Sequence, residues 1–186
     1  MIEIIQADGQ AERQHIATMR ARAAQVGADI QRAVSAVMQN VQERGFDAVR
    51  EYSLQFDRRE PYELSQADLE AAYDRCPRAL TAAMEHAAAN IRDYNEKLLV
   101  KSQEWTSLDG GTVGRVVRGL SRVGIYVPGG TAAYPSSVLM NAVPAKVAGV
   151  EEIVMVTPPT ENLNDAVLAA ARIAGVGRVV GVGGAQ

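Results

Sequence analysis

At 186 residues the chain is long enough for one good-sized domain or two small ones, and 47% hydrophobic with 22% charged residues is the composition of a folded globular protein. Nineteen Lys and Arg against 22 Asp and Glu leave a formal charge of −3 with no basic block, which argues against a nucleic-acid partner. The single cysteine, Cys76, excludes an intrachain disulfide and a cysteine-rich zinc site, and no apolar run reaches the ~18 residues of a membrane span.

The amino terminus, "MIEIIQADGQ", carries acids where a signal peptide would carry Lys or Arg, so the expected location is the cytoplasm. From about residue 10 to residue 101 the pattern is helical. Ile30, Val34, Val37 and Val41 fall on one helix face, and Gly45 follows as a carboxyl-terminal cap. Ser65 and Asp68 make an S-x-x-D capping signature, and Pro77 suits a first helical position. After it Leu80, Met84, Ala87, Ile91, Tyr94 and Leu98 form a continuous apolar seam, expected to be core.

After Trp105 the run "SLDGGTVGRVVRGL" reads as a turn and an extended segment, which puts a boundary between about 102 and 122. Three β-rich runs follow, "RVGIYV" at 122–127, "EEIVMV" at 151–156 and "GRVVGV" at 177–182, separated by helical patterns at about 136–148 and 163–174. Short apolar strands alternating with helices predict a parallel sheet with right-handed crossovers. The fold class is therefore α/β: a mainly helical region over 1–110, then the first β-α-β-α-β of a Rossmann-like sheet over 111–186. Gly175 is placed to cap the last helix.

In open parallel sheets ligands sit beyond the carboxyl ends of the strands. Val127-Pro128-Gly129-Gly130, Thr157-Pro158-Pro159 and Gly183-Gly184-Ala185-Gln186 all occupy such ends. Paired glycines lack side chains that would keep a ligand from the backbone, so a phosphate-bearing or planar cofactor is one reading and a tight turn is the other. The common dinucleotide fingerprint is absent: "GVGGAQ" has G-x-G but Gln186 in place of the third glycine, and no Walker-type loop occurs. His15 and His86 lie far apart on helical stretches without metal-binding spacing, and Ser136-Ser137 has no nucleophile elbow around it and reads as a helix start.

The run "RVGIYVPGGTAAYPSSVLMNAVPAKVAGVEEIVMVTPP", followed by "LAAARIAGVGRVVGVGGAQ", closely resembles the histidinol dehydrogenase family, as do "EYSLQFD" and "AAANIRDYNEK" earlier. The likeness covers essentially the whole chain. It departs at Asn95, where the family pattern has His, and in "GRVVRGLSR", which is only loosely similar. The resemblance implies oxidation of L-histidinol to L-histidine in two hydride transfers, each to its own NAD, with zinc holding the substrate and a Glu-His pair handling protons. It further implies that Tyr126, Gln186 and, less directly, Pro128 contact NAD, and that the whole enzyme is a homodimer.

The zinc ligands and the Glu-His pair of that family fall downstream of the segment matching Gln186, so no catalytic or metal-binding residue is assigned within the chain. A sheet without its next crossover is expected to leave one apolar face bare. The chain is accordingly expected to be an amino-terminal fragment, inactive alone. A free-standing dinucleotide-binding or interaction module, and a related dehydrogenase acting on another alcohol, are the alternatives.

Overall fold

The computed structural model describes residues 4, 5, 7–25, 27–128, 134–160 and 163–183. The chain divides into two compact units, Met1–Val49 and Arg50–Gln186. In the first, α1 (Ala11–Gln25) and α2 (Gly27–Arg44) pack together. The helix predicted before Gly45 is present, and Gly45 ends it with φ +59°, a left-handed conformation that glycine adopts without a steric cost. Its predicted stripe is only partly covered, since Ile30 and Val34 are exposed.

Helix α3 (Phe46–Phe56) leads into the second unit, where β1 (Tyr62–Leu64) interrupts the region read as helical. Pro61, which cannot join a helical ladder, and the Tyr-x-Leu alternation were its only sequence signals, too short to set a period. Helix α4 (Gln66–Arg75) starts on the predicted capping box: Ser65 Oγ accepts from the Asp68 amide at 3.2 Å, and the Ser65 amide donates to Asp68 Oδ2 at 2.8 Å. Helix α5 (Arg78–Leu98) follows, with Pro77 as its cap residue. Its seam is core only in part: Met84 is buried and Ala87 and Ile91 pack half-buried against the core, whereas Leu80, Tyr94 and Leu98 are exposed.

The stretch after Trp105 forms a hairpin of β2 (Gln103–Thr106) and β3 (Thr112–Arg115). The predicted β-α-β-α-β then appears as β4 (Arg122–Tyr126), α6 (Pro135–Val147), β5 (Glu152–Thr157), α7 (Asp165–Ala174) and β6 (Arg178–Gly181). The sheet order is β1-β6-β5-β4, with β4, β5 and β6 parallel and β1 antiparallel at the β6 edge. Gly175 caps α7 at φ +73°.

Two right-handed crossovers that step in the same direction put α6 and α7 on the same face. The burial pattern agrees: Ile153, Met155 and Thr157 of β5 and Val179 of β6 are buried, alternating with half-buried Val154, Val156 and Val180 on the opposite face. Full burial of an Ile or Met side chain stabilises by roughly 1.5–3 kcal/mol. The helical side of the core is completed by Val138, Leu139 and Val143 of α6 and by Leu168, Ala170 and Ala171 of α7. Helices α4 and α5 pack against α7 and α6 in turn.

Candidate functional site

The carboxyl ends of the three parallel strands bring together the predicted loops. At β4, Val127 is buried and its amide still donates to Val156 O at 2.9 Å, so strand geometry persists one residue past Tyr126; Pro128 beyond it is exposed. Tyr126 pairs with Val156 and stands on the face opposite the helices, 46% exposed. Read alone it suits an interior strand position, but the pleat turns it outward. Gly124, two residues earlier on the same face, has nothing within 4 Å of where a Cβ would stand, so the surface beside the Tyr126 ring is open.

At β6 the arrangement is different. Val182 donates to Thr157 O at 2.9 Å, and the next amide, Gly183, donates to Asp57 Oδ2 at 2.9 Å. The absent side chains of this Gly-x-Gly are replaced by the chain's own groups: a Cβ on Gly181 would come within 2.6 Å of the Tyr62 ring, and one on Gly183 would run into the Asp57 carboxylate. The expectation that glycine here opens the backbone to a ligand is therefore corrected at Gly183, where Asp57 fills the space. Asp57 was missed because nothing local in "LQFDRR" marks it; only the pairing of β1 with β6 carries it to that place. Gly129, Gly130, Gly184 and Gln186 lie outside the described residues.

The two crossover helices begin differently. Helix α7 has Asn164 Oδ1 accepting from the Ala166 amide at 2.9 Å and Asp165 in its first turn. The Asp165 carboxyl is held below its ordinary range by hydrogen bonds from Arg75, which forks onto it at 2.6 to 3.1 Å. Helix α6 starts with Pro135, has no acid in its first turn, and its cap residue Tyr134 makes no side-chain capping bond. Ser136 and Ser137 lie in that turn, as expected of a helix start. Among the described residues the α6 amino end has neither a side-chain cap nor an acid in its first turn, whereas α7 has both, so of the two ends that of α6 opposes an anion less.

Other candidate groups do not assemble. His15 is on α1 and His86 on α5, where His86 Nε2 lies 3.2 Å from Asn90 Nδ2. Burial pushes the Cys76 thiol up, which disfavours the thiolate. Among the described residues no group of three or more His, Cys, Asp or Glu could hold a metal, so these residues do not fit zinc. No helix among them is long and apolar enough to cross a membrane.

The family model described as histidinol dehydrogenase matches residues 20–186. The chain belongs to the histidinol dehydrogenase family. A histidinol dehydrogenase of Cupriavidus pinatubonensis is 53% identical over 167 residues, which are 84% of this chain and 38% of that protein. The histidinol dehydrogenase of Clostridium acetobutylicum is 43% identical over 190 residues, covering all of this chain and 44% of that protein. The crystal structure of histidinol dehydrogenase from Elizabethkingia anophelis superposes with a TM-score of 0.77 at 30% identity, over 86% of this chain and 38% of that one. The chain thus spans well under half the length of these histidinol dehydrogenases.

Proposed function

We propose that this chain is the amino-terminal part of an enzyme that oxidises L-histidinol to L-histidine through histidinal, in two successive hydride transfers to two NAD molecules. The observation that carries this reading is the family match over residues 20–186. In it, residues 111–186 are the dinucleotide-binding half-domain and residues 1–110 the helical region before it. The whole enzyme is a homodimer working in the cytoplasm on a small polar alcohol. Its zinc ligands follow Gln186, and no step here runs through zinc.

NAD, when bound, supplies the hydride acceptor. The chain's own residues bind and orient it. The Tyr126 ring offers a flat apolar surface with a hydroxyl at its rim, Pro128 a rigid neighbour, and the Gln186 amide both a donor and an acceptor. Sheet order supports this place. From β4 the chain steps to β5 and then β6 in one direction, and the outer edge of β4 has no strand partner among the described residues. In doubly wound sheets the next strand returns beside the first, and the ligand crevice forms at that reversal, which is the carboxyl end of β4.

The test is a stoichiometry. The full-length protein, given zinc, NAD and L-histidinol, is expected to form two NADH per histidinol consumed. In the same protein Tyr126→Ala is expected to raise the KM for NAD about tenfold, in line with the loss of an aromatic contact. No NADH, or one per substrate, rejects the proposed reaction.

A further inference from the structure

We infer that the β2–β3 hairpin is a dimerisation arm, and that what it pairs with is the same hairpin of a second copy of this chain. The inference rests on the proposed homodimer and names the surface that makes it. Its first support is that the arm is firmly rooted yet uncovered. Every residue of β2 and β3 is exposed, and neither strand has a further strand partner among the described residues. A two-stranded ribbon alone in water is marginally stable. The base of this one is nevertheless fixed: Ser102 Oγ accepts from the Val117 amide at 2.8 Å and donates to Val117 O at 3.3 Å. A Cβ on Gly119 would strike the Gly149 carbonyl, so the returning chain lies hard against the turn after α6.

The second is apolar area. Trp105 pairs with Val113 across the ribbon; Leu98 precedes it in the chain, and Val116, Val117 and Leu120 follow on the way back. These side chains range from 39% exposed at Val117 to 78% at Val116. Together they present on the order of 600 Å² of apolar surface, the upper end for the largest patch on a monomer. Backbone and flanking atoms covered with them bring the arm to the roughly 800 Å² per partner that a stable interface buries.

The third is the fit of one edge to itself. The outer edge of β3, "TVGRVV" at 112–117, has one charge and no proline, so it lacks the devices that keep an edge strand from pairing. Strand β2, by contrast, follows Lys101 and carries Glu104. Two copies of the β3 edge can run antiparallel about a two-fold axis between Val113 and Gly114. That register sets Thr112 opposite Arg115 and places exposed Arg118 of one copy across from exposed Asp109, in the turn of the other. The axis repeats the contact, so opposite charges meet at both ends of a shared four-stranded sheet. Complementarity of this kind fixes both partner and register.

The test uses the full-length protein in sedimentation equilibrium and native mass spectrometry. The wild type is expected to be a dimer. Val116→Lys, which puts a charge into the shared edge, is expected to weaken it at least about tenfold. Asp109→Arg and Arg118→Asp are each expected to weaken it about tenfold by setting like charges face to face. Mixed in equal amounts, the Asp109→Arg and Arg118→Asp proteins should recover the wild-type affinity as a heterodimer, because each then supplies the charge that the other lacks. Both of these substitutions are at exposed positions, so the role stays testable if the Val116→Lys protein does not fold. A dimer unaffected by all three substitutions overturns the role of the arm and leaves the homodimer standing. Variants that lose thermal stability while the dimer affinity is unchanged mean that another part of the same chain covers the arm, which overturns it too. A wild type that is monomeric at micromolar concentration rejects the proposed homodimer, and the role of the arm with it.

Discussion

Side chains in this protein divide into those whose neighbours in sequence explain them and those explained only by distant partners. Ser65 and Asp68 belong to the first kind: one turn of helix contains the whole capping box, and four letters were enough to find it. Tyr126 is intermediate, because its place at a strand end could be read but its outward direction depends on register with β5. Asp165 belongs to the second kind. Arg75 lies on another helix and forks onto it, holding the carboxyl below its ordinary range, as Arg178 of β6 does to Glu63 of β1. A carboxyl whose folded pKa is depressed stabilises the fold at pH values above its unfolded pKa, and that contribution disappears as pH falls through the folded value. Arg75→Met is therefore expected to lower the melting temperature at about pH 7, with the difference from wild type shrinking as pH falls from about 4 to about 2. Thermal melts of both proteins across that range check it; a difference that does not change with pH would mean that the pair contributes through packing alone.

Among the elements, those with a long period were legible and those made by pairing were not. Helices α2, α5, α6 and α7 and strands β4 to β6 all lie within a few residues of the periodic segments in the sequence. Strand β1, three residues long, exists because β6 has an edge to satisfy, and no window around it shows that. Helix α6 poses a different question, since Pro144 sits inside it. The ring removes the amide that would bond Met140 O, and Met140 is 61% exposed, so water can take that carbonyl. Packing of Val138, Leu139, Ala142 and Val143 holds the helix despite the proline. Pro144→Ala should restore the bond and stabilise the protein by about 1–2 kcal/mol, the helix-propensity gain less the entropy returned to the unfolded chain. Urea denaturation measures it, and a loss of stability would show that the ring makes contacts worth more than the missing bond.

For the molecule as a whole, the sheet has helices on one face and half-buried Val154, Val156 and Val180 with exposed Tyr126 on the other. The bare face expected of a sheet without its next crossover is met only in part, since three of these four residues are half-buried and Tyr126 alone is exposed. The curated relatives that the chain matches are more than twice as long as the segment shared. On the proposed reading, the 186-residue chain alone forms no NADH from histidinol with zinc and NAD supplied, whereas the full-length protein does. A fluorescence assay for NADH on the two proteins side by side is the measurement, and turnover by the short chain would mean that the chemistry sits in residues read here as scaffold.

The pairing of β1 with β6 also sets an order of events during synthesis. Tyr62 leaves the ribosome long before Gly181, its partner, has been made. At ~5–20 residues per second that wait is on the order of 10 s. Throughout it, "PYEL" is a nascent strand with nothing to pair with, alongside others of its kind on neighbouring ribosomes. Pro61 and Glu63, which look incidental in the finished sheet, are the residues that make it a poor template for the wrong partner in that interval.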